Sequence, residues 1–142
     1  MGNIFYRPKN AWFGDAIPFY DKGIFYIYYL YDERKTTFTA DHTSWHLVST
    51  RDFVHWKEEG EVLPAGSEDI DQACYTGSVI KGNDGVYHLF YTGQNPLNQD
   101  YELEGKPQQY ILHAVSTDLI NWEKHYETAF PAQKDKFEPH DW

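Results

Sequence analysis

The feature that most constrains this chain is that it repeats itself. Val48, Thr50, Asp52, Phe53, Val54 and Trp56 align without a gap to Ala114, Ser116, Asp118, Leu119, Ile120 and Trp122, an offset of 66. Upstream, Gly23, Phe25, Ile27, Tyr28 and Tyr29 align with Gly85, Tyr87, Leu89, Phe90 and Tyr91, an offset of 62. The repeating unit is therefore about 60 to 66 residues long. Internal periods of this kind are the mark of architectures built by stacking one supersecondary unit on the next.

The content of the unit is β. Ile24 to Leu30 is β-branched and aromatic throughout and follows a turn at Asp21-Lys22-Gly23. Val86 to Thr92 has the same character and follows Asn83-Asp84-Gly85. Each run is preceded by a short apolar stretch, Ala16 to Tyr20 and Tyr75 to Ile80, which predicts two hairpins. No window carries sustained helical periodicity with caps, so helix is expected to be scarce. The polar insertions Asp32 to Thr43 and Gln94 to Gln109 read as loops, and Glu102 and Glu104 within them as solvated charges. A third strand, a turn at the recurring Asp and a fourth strand opening with Trp complete the unit. Four antiparallel strands per repeat is the plan of a β-propeller blade. The expected fold is all-β, a partial propeller in a single domain. Blade one covers about 11–66, blade two about 72–130, and a tail leads toward a third blade.

A blade covers its apolar faces only by stacking on neighbours, and propellers close with about four to eight. Two blades leave faces and strand edges open. The chain is therefore expected to be a piece of a longer protein, or else to self-associate through exposed blade edges.

Charge narrows the partners. Among 142 residues, 12 Lys and Arg stand against 22 Asp and Glu, a net charge of −10. Nucleic acid and anionic membrane surfaces call for the opposite sign. The longest apolar run, Ile24 to Tyr31, falls well short of the roughly 18 residues a membrane-spanning helix needs. Aromatic residues make up 18% of the chain, which argues for a folded core and against disorder. The N-terminus has no secretory pattern and Cys74 is the single cysteine, so a cytoplasmic location is expected.

The chemistry concentrates at the start of each blade. Trp12-Phe13-Gly14-Asp15-Ala16-Ile17-Pro18 sets a carboxylate behind two aromatics at the head of an innermost strand. Aromatic rings stack on the apolar face of a sugar, and a carboxylate stabilises or attacks its anomeric carbon. The same spacing also suits an Asp that caps a turn beside core aromatics. The second blade has Cys74-Tyr75-Thr76-Gly77-Ser78 at the equivalent place, hydroxyls where the first has a carboxylate. These hydroxyls suit hydrogen bonding to a sugar, or are ordinary strand residues. Asp52 and Asp118 recur at one phase and read as turn formers. Trp56 and Trp122 read as core. The seven histidines, His42 and His46 included, make no metal-ligand pattern, and neither metal nor organic cofactor is implied.

Taken together these segments resemble the N-terminal part of the five-bladed propeller of glycoside hydrolase family 32, the β-fructosidases. The family's opening W-x-N-D-P-N motif falls on Trp12 to Ile17, with its nucleophilic Asp on Asp15. Its Y-H-L-F-Y-Q strand falls on Phe25 to Leu30, and its W-G-H-A-x-S-x-D-L-x-x-W segment on Trp45 to Trp56. Its F-S-G-S segment falls on Tyr75 to Ser78. Tyr91-Thr92-Gly93 and Ala114, Ser116, Asp118 are identical to family positions. The resemblance implies a carbohydrate substrate, Asp15 as catalytic nucleophile and Trp12, Trp45, Tyr75 and Thr76 as sugar contacts. Gly14, Ala16 and Ile17 depart from the opening motif, and Leu30 stands where the family has a Gln that would touch sugar. A divergent substrate is therefore expected. The acid/base glutamate of the family lies beyond a later R-D-P segment, and Phe137 to Trp142 resembles the approach to it. The chain alone is accordingly expected to be inactive. Two other readings share the same residues: an inverting arabinosidase or xylosidase of the family 43 type, and a non-catalytic carbohydrate-binding propeller module.

Overall fold

In the computed structural model, residues 6–33, 43–66, 70–94, 102–103, 106–107 and 109–131 are described. His42, Glu104 and the segment Phe137 to Trp142 lie outside them. The first sheet is formed by β1 (Trp12–Asp21), β2 (Ile24–Asp32), β3 (Ser44–Thr50) and β4 (Trp56–Leu63), antiparallel and in sequence order. The second contains β5 (Ala73–Lys81), β6 (Tyr87–Gln94), β9 (Gln109–Ser116), β10 (Glu123–Lys124) and β11 (Phe130–Pro131). Between β6 and β9, the second insertion carries a short ladder of β7 (Glu102–Leu103) with β8 (Lys106–Pro107) where only loop was expected. Helix among the described residues is one 3-10 turn, Tyr126–Thr128.

Local chemistry explains each hairpin. Lys22 and Gly23 have φ of 48° and 80°, and Asp21 pairs with Ile24. Two consecutive residues at positive φ give the turn whose twist matches that of the strands. The second hairpin closes through a longer turn, with the Gly82 N–H on the Val86 carbonyl at 2.7 Å and the Val86 N–H on the Asp84 carboxylate at 3.0 Å.

The recurring Asp turns are the same structure made twice. Thr50 Oγ1 accepts the N–H groups of Asp52 and Phe53, and Asp52 Oδ1 those of Val54 and His55. One repeat later Ser116 Oγ accepts from Asp118 and Leu119, and Asp118 Oδ1 from Ile120 and Asn121. The residue after each Asp is left-handed, φ 58° at Phe53 and 69° at Leu119. These hydroxyl and carboxylate bonds replace backbone partners that a tight reversal cannot supply.

The core lies between the two sheets. Strand alternation turns Tyr28, Leu30, Trp45 and Leu47 of the first sheet toward Leu89, Tyr91, Leu112 and Ala114 of the second. Full burial of each such side chain contributes about 1.5–3 kcal/mol. Polar ties key the joint. Trp45 Nε1 donates to the Tyr75 carbonyl at 2.9 Å, Tyr28 Oη to the Leu119 carbonyl at 2.8 Å, and the Cys74 N–H to the Thr43 carbonyl at 2.8 Å. At the far end of β1, Asp21 accepts from Tyr87 Oη at 2.7 Å and Lys81 Nζ at 3.0 Å. These two hydrogen bonds hold its carboxyl below the usual carboxylate range.

Candidate active site

Both innermost strands are bulged at the same place. In β1, Gly14 pairs with Leu30 and Ile17 with Tyr28, so Asp15 and Ala16 face the single residue Tyr29. In β5, Tyr75 pairs with Thr92 and Gly77 with Tyr91, so Thr76 is the extra residue. A bulge twists a strand and re-aims the side chain it carries. Here it brings the two re-aimed residues together: the Thr76 hydroxyl donates to the Asp15 carboxylate across the joint between sheets. Gly77 follows because nothing larger fits. A Cβ there would stand 1.9 Å from the Phe90 carbonyl oxygen and 2.7 Å from the Tyr91 Cα.

Asp15 is solvent-exposed, at the open end of the seam. Trp12, the first residue of β1 and three residues earlier, is 56% exposed. Phe13 stacks on Tyr29 at 4.3 Å between ring centroids, and Tyr6 packs on both. Burial raises the Tyr29 and Tyr6 phenols, so both stay protonated near neutrality. Leu30 is buried directly across from Gly14, whose missing Cβ would sit 3.1 Å from the Leu30 Cβ. Two of the four departures from the family motifs, Gly14 and Leu30, are thus register partners.

The five expected site residues are not all placed alike. Asp15 and Thr76 meet at the mouth of the seam, Trp12 is exposed three residues before Asp15, and Tyr75 is half-buried next to Thr76. Trp45, expected as a sugar contact, has no exposed surface at all. Alternation turns its ring into the inter-sheet core, and its N–H is spent on the Tyr75 carbonyl. Its place is to hold the backbone that presents Thr76.

A buried polar group supports the same strand and was not anticipated. Asp71, fully buried just before β5, accepts from Lys124 Nζ at 2.6 Å, Tyr91 Oη at 3.1 Å and Tyr126 Oη at 3.2 Å. Lys124 also donates to the Pro64 carbonyl at 2.6 Å. Burial, then the Asp71 charge, raises the Tyr91 phenol. Burial pushes the Cys74 thiol up to about 12, so this cysteine is an inert core residue. Among the described residues no three His, Cys, Asp or Glu side chains are placed to hold a metal ion.

Comparison with known proteins places this geometry. The model of the glycosyl hydrolases family 32 N-terminal domain matches residues 5–112. The sucrose-6-phosphate hydrolase of Bacillus subtilis is 36% identical over 106 residues, 74% of this chain and 20% of that protein. The chain thus spans about a fifth of the length of such relatives. Among solved structures, the β-fructofuranosidase of Schwanniomyces occidentalis complexed with fructosyl-erythritol superposes with a TM-score of 0.68 at 19% identity, covering 90% of this chain and 26% of that one. A family 43 β-xylosidase/α-arabinofuranosidase from a compost metagenome gives 0.64 at 15% identity, covering 88% and 38%. At these identities the two structures share the propeller fold.

Proposed function

Because the chain belongs to glycosyl hydrolase family 32, we propose that it carries the nucleophilic half of a β-fructosidase active site. The observation that supports this most is the meeting of Asp15 and Thr76 at paired bulges, with the exposed Trp12 three residues before Asp15. In this reading a fructosyl-like unit lies at the mouth of the seam, its apolar face on Trp12. An Asp15 carboxylate oxygen attacks the anomeric carbon and forms a glycosyl-enzyme ester while the bond to the leaving oxygen breaks. The proton that the leaving oxygen takes up comes from an acid outside this chain. Water then displaces Asp15, with that same group acting as base, and the configuration is retained. Retention needs the two carboxyl groups about 5 to 5.5 Å apart, and this chain supplies one of them. Thr76, by donating to the carboxylate, fixes its orientation toward the reacting carbon.

The activities of these relatives, a sucrose-6-phosphate hydrolase and a β-fructofuranosidase, support fructosides as the substrate class. The test is hydrolysis of sucrose and levan. The 142-residue chain alone is expected to be inactive. In the enzyme completed by the rest of its propeller, Asp15→Asn is expected to lower kcat by about 1,000-fold or more. Turnover by the isolated chain, or full activity of the Asp15→Asn enzyme, would overturn the assignment.

A further inference from the structure

Three consecutive residues of β5 each bond to the first sheet or its approach. The Cys74 N–H donates to the Thr43 carbonyl at 2.8 Å, the Tyr75 carbonyl accepts from Trp45 Nε1 at 2.9 Å, and the Thr76 hydroxyl donates to the Asp15 carboxylate. In the first sheet Gly14 pairs with Leu30, Leu30 with Trp45 and Trp45 with Leu63. The residue before Asp15 and the indole therefore stand on a single rung. The bulged segment of β5 bridges two points whose spacing that rung fixes.

The middle bond is the one that can aim Thr76. Thr76 is the extra residue of its bulge and has no register partner on β6, so the ladder of its own sheet leaves its direction open. The peptides on either side must set it. On one side Gly77 lies so close to the Phe90 carbonyl that no Cβ fits. On the other side the Tyr75 carbonyl is held by an indole with no exposed surface. An indole nitrogen is a donor only, and a buried donor left without an acceptor is costly. The bond belongs to this joint and not to the repeat: 66 residues on, the place of Trp45 is taken by Ile111, which has no side-chain donor.

We propose that Trp45 is a positioning residue of the reaction: through the Tyr75 carbonyl, its indole N–H fixes the bulge that directs the Thr76 hydroxyl at Asp15. The inference rests on the nucleophilic reading of Asp15 and adds a buried residue that acts on it at one remove. Trp45 offers no surface to a sugar, so its loss should fall on kcat and spare KM. The loss should also be felt only while residue 76 has a hydroxyl to aim.

The test replaces Trp45 in the completed enzyme in two ways. Trp45→Phe removes the donor and part of the ring. Substitution by 3-benzothienylalanine keeps the shape of the indole and puts sulfur in place of the N–H, so the fold is retained even if Trp45→Phe disturbs it. Each variant is expected to lower kcat on sucrose by about 10- to 100-fold while KM stays within about twofold. Combined with Thr76→Val, each should deepen the loss of Thr76→Val alone by less than about twofold. Unchanged kcat in the benzothienyl variant overturns the proposal. So does a loss that multiplies with that of Thr76→Val, which would mean that Trp45 acts elsewhere, or a rise in KM that accounts for the loss, which would make Trp45 a sugar contact. Asp15→Asn assayed alongside separates the two readings. Full activity there removes the nucleophilic assignment, whereas an inactive Asp15→Asn enzyme beside a silent benzothienyl variant overturns this inference alone.

Discussion

The two sheets are copies of one plan that differ where it matters. Both have a bulged innermost strand, an Asp-centred turn with a left-handed residue, and an aromatic run in the second strand. At the bulge the first sheet puts a carboxylate and the second a hydroxyl that donates to it. Just before its innermost strand the second sheet has the buried Asp71, paired with Lys124 and two tyrosines, whereas the innermost strand of the first sheet opens on the exposed aromatics Trp12 and Phe13. A repeat fixes the scaffold cheaply, and departures from it mark where the copies differ: in the proposed reaction one holds the reacting group and the other orients it.

The sharpest way to break this division is to exchange the two tasks. In the completed enzyme Asp15→Asn should cost about 1,000-fold or more in kcat, while Thr76→Val should cost about 100-fold or less with little change in KM. Equal losses would mean that the hydroxyl takes part in the chemistry and does more than orient. Next in size is the buried pair. Asp71→Ala leaves Lys124 uncompensated at the core edge and should destabilise by about 3–5 kcal/mol in urea unfolding. A change under about 1 kcal/mol would show that the second sheet does not depend on it.

Smaller again is the hydroxyl of Tyr28. Tyr28→Phe writes into the first sheet the residue that the second has at Phe90, and leaves the Leu119 carbonyl unpaired. A loss of about 1–3 kcal/mol is expected from chemical denaturation.

The smallest effect distinguishes the twin turns by pH. Burial pushes the Asp118 carboxyl up, but the Asn121 backbone N–H and side-chain amide, the Ile120 N–H and the Ser116 hydroxyl outweigh it and hold the group at about 2. A carboxyl held below its ordinary 3.8 stabilises the fold above that value and loses the contribution as pH falls toward about 2. Asp52 is held low chiefly by the His55 side chain, then by the His55 and Val54 N–H groups. Carbon-13 titration of the carboxyls should find Asp118 near 2, and Asn121→Ala should move it upward while leaving Asp52 unchanged.

Much of this was legible in the residues. Strand runs, the two hairpins, the propeller plan and the turn role of Asp52 and Asp118 follow from composition and a gapless repeat, because turn chemistry and alternation are local. What stayed hidden depends on the partner across the joint. Trp45 reads as a sugar contact from its place in the family segment, and only the register with Leu30 turns it inward. Asp71 looks like any loop carboxylate, and nothing local tells that Lys124, 53 residues on, reaches it. The bulges leave no signature in a single strand either, although the glycine at 77, which a Cβ could not replace, was a clue. The β7–β8 ladder lies in a polar stretch without the β-branched and aromatic residues that announce a strand.

The most direct test of the assignment is to trap the covalent intermediate. The completed enzyme, quenched during turnover of a slow fructoside and digested, should give a peptide containing Asp15 that is heavier by one fructosyl unit, and the adduct should vanish in Asp15→Asn. A fructosyl adduct on any other carboxylate, or turnover of the same substrate by the Asp15→Asn enzyme, would contradict it.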